Sequence, residues 1–205
     1  METLYGLPFD TKVHRIVIAQ GRNGPRGHGE EQVAPYSDIR NAVDFALPIG
    51  SIVLAMREGI VRLVFAGSSR YSRADDVESH ARRECLLPNC VTIDQCDGTT
   101  AAYVHLMRET ILVCIGERVR RGQPLGRTGW SGWVGAIPNL HVQVHAKVPS
   151  DHGYDRTITL PFAFDGYDGP LEHVEIAAAR ENTHPEWIRF ADAVNVPAFP
   201  AVSAT

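Results

Sequence analysis

Residues 139–148, NLHVQVHAKV, place Asn139, His141, Gln143 and His145 in alternation with Leu140, Val142, Val144 and Ala146. A β-strand sends alternate side chains to opposite faces. One face of this segment is therefore apolar and suited to a core. The other carries two imidazoles and two amides, whereas a merely solvated face more commonly holds Lys, Glu and Thr. Imidazole and carboxylate groups are the ligands of a hydrolytic zinc site, which takes about three protein ligands and keeps one position open. His141 is one candidate ligand. Asp44 is a second, since it sits inside the apolar stretch AVDFALP and a buried carboxylate needs a compensating partner. His28 lies in the Gly-rich loop before Asp44. His105, in YVHLM, is a candidate catalytic imidazole. Each residue also has a plainer reading. Asp44 caps a turn or pairs with an arginine, His105 is a satisfied core histidine, His28 is an ordinary loop residue, and His141 is a half-buried strand residue. The residues alone support a zinc site on a β scaffold without deciding between these readings.

The elements that must position these groups read as strands. VHRIVIAQG (13–21) opens the series, and residues 22–41 form a loop. NAVDFALPIG (41–50) holds a short strand and a turn. SIVLAMREGIVRLVFAG (51–67) holds two β segments around Glu58-Gly59, because Val and Ile favour sheet. Residues 68–88 are charged and break the pattern as an insertion. CVTIDQ, TAAYVHLM and short pieces of 109–129 follow. WSGWVGAIP reads as a loop, and TITLPFAF (157–164) as a later strand. Residues 172–181 read as partly helical, and the end as irregular.

Composition narrows the class. A chain of 205 residues with 44% hydrophobic content can bury one substantial core. The net charge is −4, with no basic patch interleaved with aromatics, which argues against a nucleic-acid partner. No apolar run is long enough to span a membrane, and METLYGLPFDTK does not read as a signal peptide. Localisation is left open. Cys85, Cys90, Cys96 and Cys114 lack the CxxC spacing of a zinc knuckle. They are expected as reduced, partly buried thiols, with a Cys85–Cys90 disulfide as the alternative. GRTGWSG lacks the GK[ST] ending of a phosphate loop. A biotinyl or lipoyl carrier would need a lysine at a hairpin tip, and Lys12 and Lys147 lie elsewhere.

Four segments together resemble the M23 family of lysostaphin-type, or LytM-like, zinc metallopeptidases. They are NAVDFALPIGSIVLAMREGIVRLV (41–64), CDGTTAAYVHL (96–106), ILVCIGERVRRGQPLGRTGWSG (111–132) and IPNLHVQV (137–144). Their order matches the family, and the likeness spans about residues 16–165. The resemblance implies an all-β fold: a two-sheet sandwich, or duplicated hybrid motif, with a groove on one sheet and loop insertions. It implies a peptidase domain over 1–165, with the insertion at 68–88, and a C-terminal extension over 166–205. The first ligand histidine of the family usually stands four residues before the aspartate, where this chain has Arg40. QGRNGPRGHG (20–29) resembles a version with an earlier histidine, so the ligand roles fall to His28, Asp44 and His141, around Zn2+. His105 takes the role of the histidine that stabilises the developing oxyanion. The family's general-base histidine falls on Asn139, which cannot take a proton near neutral pH. Gly126, Gly129 and Gly132 are expected to permit tight turns near the groove. Trp130 and Trp133 are either a substrate-binding groove wall or a loop anchor.

The implied function is hydrolysis of a peptide bond in cell-wall peptidoglycan, either at Gly–Gly bridges or at cross-links containing D-amino acids. The alternative is a catalytically impaired relative that acts as a binding or activator domain. Glu30, Glu31, His145 or a residue of 68–88 are candidate substitutes for the missing base, although His145 stands roughly 20 Å along the strand from Asn139.

Overall fold

The structure is a computed structural model that describes residues 4–24, 28, 38–68, 71–72, 87–134, 137–149 and 156–171. Among these residues it is all-β, with no helix. In chain order the strands are β1 (Leu4–Tyr5), β2 (Ile18–Gln20), β3 (Val43–Ala46), β4 (Ile52–Leu54), β5 (Gly59–Phe65), β6 (Tyr71–Ser72) and β7 (Cys90–Asp94). They continue with β8 (Thr99–Val104), β9 (Arg118–Val119), β10 (Pro124–Arg127), β11 (Gly132–Trp133), β12 (Asn139–Val148), β13 (Arg156–Thr159) and β14 (Ala163–Phe164).

One large antiparallel sheet runs β2-β3-β12-β8-β7-β5-β9, with β13 paired to the far end of β12. β4 and β10, distant in the chain, form a separate antiparallel pair. Val53 of β4 and Leu125 of β10 join Val61, Ile93, Tyr103, Leu140 and Val142 of the large sheet in one core cluster. The two sheets thus share one apolar interior, which is the sandwich arrangement implied by the sequence.

The period-2 pattern explains this packing. Leu140, Val142 and Val144 of β12 are buried on the core side, and Val43 and Phe45 of β3 are buried beside them. Phe45 meets Phe9 and Phe164 edge-on, at ring-centroid distances of 5.1 and 5.4 Å. Burial of such a ring stabilises the fold by about 1.5–3 kcal/mol. The opposite face of the same strands then necessarily carries Asp44, Asn139 and His141.

Tyr103 of β8 is fully buried, and its hydroxyl accepts a hydrogen bond from the Met56 amide at 2.7 Å. Tyr103→Phe should strand that amide and cost about 1–3 kcal/mol. Denaturant unfolding should show a lower midpoint with an unchanged slope.

Several segments differ from the sequence reading. Strand structure over 13–21 is confined to Ile18–Gln20, because Val13 and His14 donate back to the Asp10 carbonyl in a turn. The expected strand over 157–164 is two strands. Pro161 falls between them and has no N–H for a ladder. The WSGWVGAIP loop contains β11, paired in parallel with β6 from within the 68–88 insertion. Cys90, Cys96 and Cys114 are free thiols, but Cys96 and Cys114 are exposed rather than partly buried. Cys96 occupies the β7–β8 turn, which turns its side chain outward. Cys85, Glu30, Glu31, most of 68–88 and the region expected to be helical at 172–181 lie outside the described residues.

Candidate metal centre

Strand pairing brings the first two candidate ligands together. β3 and β12 are antiparallel, and their register sets Asp44 directly opposite His141. Cross-strand neighbours have Cβ atoms about 4.5–5.5 Å apart. The side chains meet, with His141 Nδ1 lying 2.8 Å from Asp44 Oδ1. His28 arrives from the loop after β2. Its Nδ1 lies 2.9 Å from the Gly21 carbonyl, an acceptor, so this nitrogen carries the proton in the neutral ring. Nε2 is left facing Asp44 Oδ2 at 3.4 Å. The rings of His28 and His141 stand edge to face at 5.2 Å.

One ligand atom from each of His28, Asp44 and His141 lies within 4.8 Å of the others. A tetrahedral zinc with bonds of about 2.0–2.2 Å holds its ligand atoms about 3.3–3.6 Å apart. The 3.4 Å separation of His28 and Asp44 matches that spacing, and the His141–Asp44 pair is slightly tighter. Two imidazoles and one carboxylate are also a donor set that zinc accepts. The residues fit the metal. Arg40, at the position where a ligand histidine is usual, pairs with Asp38 at 2.8 Å instead.

Electrostatics support the cluster. Burial opposes ionisation of Asp44, but His28 and His141 outweigh it and hold the carboxyl well below the usual carboxylate range. Burial likewise opposes the charged form of His28. The Asp44 carboxylate, with the Gly21 and Ala42 carbonyls, outweighs burial and raises the His28 pKa. The contribution of Asp44 to the metal-free fold is complete above the ordinary carboxylate pKa and is lost as pH falls through its depressed value. The contribution of His28 is complete below the ordinary imidazole pKa and is lost as pH rises through its raised value. These two contributions are complete together only between about pH 4 and 6.5. Burial of His105, whose pKa is pushed down to about 4, removes stability as pH falls below about 6.5. Metal-free protein should therefore melt highest near about pH 6.5, falling on both sides, in a melting series across pH.

His105 follows β8 and faces the same centre, its ring 6.0 Å from that of His141. Its backbone is left-handed, with φ 67°, a conformation uncommon outside glycine. The Gly129 amide fixes it by donating to the His105 carbonyl at 2.8 Å. A Cβ on Gly129 would lie 2.6 Å from Met107 backbone atoms, so only glycine allows this approach. Of the other glycines expected near the groove, Gly132 has a positive φ of 75° and Gly126 does not. His105 Nδ1 lies 2.8 Å from the Ser131 carbonyl. A carbonyl only accepts, so the neutral ring carries its proton on Nδ1 and keeps a lone pair on Nε2. Burial, then the nearby His141, push the His105 pKa down to about 4. The ring is neutral at physiological pH.

Asn139 shares the face of His141 and is 5% exposed. Its amide nitrogen donates to the Val134 and Ile137 carbonyls at 3.1 and 3.0 Å. Its oxygen is buried and has no partner among the described residues. Trp130 is half-buried in the same loop, and the Trp133 backbone pairs with Ser72. His145 lies further along β12, at Gln143 rather than at the cluster.

Three residues gained a role that the sequence did not assign. Gln20 Nε2 donates to Asp44 Oδ2 at 3.5 Å, and it heads the loop that delivers His28. The Ser131 carbonyl sets the His105 tautomer. Gln143 Oε1 lies 3.1 Å from His141 Nε2. Gln143 was visible in the polar row of β12, two residues from His141, which is the signal that marks it.

The model of peptidase family M23 matches residues 38–152, more than half of the 205-residue chain. The chain belongs to peptidase family M23. Asp44, His105, Asn139 and His141 all lie within the M23 segment. His28 precedes it, so its place beside Asp44 rests on the structure. The peptidoglycan DD-endopeptidase ShyC of Vibrio cholerae is 30% identical over 138 residues, covering 67% of this chain and 27% of that protein. The peptidoglycan DD-endopeptidase ShyA of the same organism is 31% identical over 114 residues, covering 56% and 21%. This M23 chain thus spans about a quarter of the length of these relatives. The crystal structure of a zinc-containing peptidase from Vibrio cholerae is similar at 30% identity, covering 70% of this chain and 37% of that one, with a TM-score of 0.47.

Proposed function

We propose that this chain is a zinc-dependent metalloendopeptidase that hydrolyses a peptide bond of peptidoglycan. The observation that carries the reading is the convergence of His28, Asp44 and His141, with the His105 ring beside His141. Two relatives named as peptidoglycan DD-endopeptidases support the substrate class. A bound zinc ion would supply Lewis acidity, polarising a carbonyl oxygen and making water a stronger acid.

The protein's own residues divide the remaining work. His28 Nε2, Asp44 and His141 Nδ1 would hold the metal. His105 Nε2, unprotonated, accepts a proton from water. Once protonated, it becomes the N–H donor that stabilises the developing oxyanion, the role the family resemblance gives it. Asn139 cannot take a proton. Its nitrogen pins the loop carbonyls at 134 and 137, and we assign its oxygen, which has no partner among the described residues, to orienting a water or a substrate N–H. Trp130 and Trp133 are assigned to the groove wall as stacking surfaces for the substrate.

Asn139 also favours a second reading, a catalytically impaired M23 relative that binds peptidoglycan or activates a partner. Zinc-loaded protein incubated with cross-linked muropeptides separates the two. Mass spectrometry should detect products carrying one added water. Retention on peptidoglycan without any cleavage would support the second reading.

A further inference from the structure

The polar face of β12 carries a second layer behind the ligand histidine. His141 Nε2 faces Gln143 Oε1 at 3.1 Å, while its Nδ1 faces Asp44. Gln143 Nε2 in turn faces His145 Nδ1 at 3.5 Å. His145 is half-buried, and burial lowers its pKa, which favours the neutral ring with one unprotonated nitrogen. In the tautomer with the lone pair on His145 Nδ1, this contact holds the orientation of the Gln143 amide. The amide nitrogen points to His145, and the oxygen is left for His141.

From this we infer that Gln143 is a positioning residue for the metal: its side-chain oxygen fixes His141 with the proton on Nε2 and the lone pair of Nδ1 turned to the ion. The inference rests on the reading of His141 as a zinc ligand. The chemistry is specific to the spacing. A ring that gives Nδ1 to a metal must carry its proton on Nε2, and that N–H needs an acceptor when buried. Residue 143 is the next one on the same face of the strand, so a side chain with an acceptor oxygen reaches the ring and an apolar one leaves the N–H unpaired. Acceptors of this kind orient a ligand ring and raise its basicity, and their loss typically weakens metal binding about 10–100-fold.

The test compares wild type with Gln143→Leu, which removes the acceptor, and Gln143→Glu, which keeps an oxygen in place. Zinc affinity is measured by competition with a chromogenic chelator. Exchange of the His141 Nε2–H is followed by NMR in the metal-loaded protein, and folding of each metal-free variant is checked by circular dichroism. Gln143→Leu should bind zinc about 10–100-fold more weakly and lose protection of that proton. Gln143→Glu should stay near wild type in both. Equal affinity and equal protection in Gln143→Leu and wild type would overturn the inference while leaving the proposed function intact. A wild type that takes up no zinc would overturn both. Should Gln143→Leu fail to fold, slow exchange of this proton in wild type and Gln143→Glu supports the inference. Fast exchange in the wild type overturns it.

Discussion

His105→Asn should slow hydrolysis of peptidoglycan peptides by about 10²–10³-fold, in the lower part of the range for general acid–base catalysis, and should leave zinc content unchanged. Asparagine is the informative substitution because the backbone at this position is left-handed, at φ 67°. Asparagine tolerates that conformation, whereas alanine would add backbone strain to any catalytic defect. The Ser131 carbonyl holds the neutral ring with its lone pair on Nε2, so the variant removes a proton acceptor and not merely a contact. The effect belongs in kcat, since the role proposed for His105 is on charge that develops during the reaction. A parallel loss of zinc would instead mean that His105 supports the ligand cluster.

Asn139→His should raise turnover by about 10²-fold, because it supplies a second imidazole where the chain has an amide. His105 is held at about 4 by burial and by His141, so its proton affinity is well below the optimum for a base working near neutrality. A histidine at 139 would stand on the same face of β12 as His141. The substitution also removes a buried oxygen that has no partner among the described residues, which offsets part of the cost of losing two loop hydrogen bonds. Steady-state assays on a defined muropeptide, with thermal melting as a control for folding, measure the change. An unchanged rate would leave His105 as the sole base.

The sequence made the scaffold legible where periodicity was strict. β12 was readable over its whole length, because Leu140, Val142 and Val144 alternate with polar residues, and the two segments around Glu58-Gly59 are β4 and β5. The cluster was only half legible. Asp44 and His141 stand out as polar groups in apolar strands, yet nothing in one strand states its register against another. Only the pairing of β3 with β12 places them face to face. His28 lies in a loop without periodicity, and its approach to Asp44 depends on a three-dimensional path that spacing does not encode. The His105 tautomer was out of reach for the same reason, since it is set by a carbonyl 26 residues away. Turns within apolar stretches were the other blind spot. Asp10 folds residues 13 and 14 back, and Pro161 divides one apolar run into two strands.

Zinc content by elemental analysis tests whether His28, Asp44 and His141 together form a zinc site. Wild type would be compared with His28→Ala and Asp44→Ala after zinc supplementation and removal of loosely bound metal. Wild type should hold stoichiometric zinc, and both variants should lose it. Wild type without zinc, or His28→Ala retaining it in full, would contradict the site as built here.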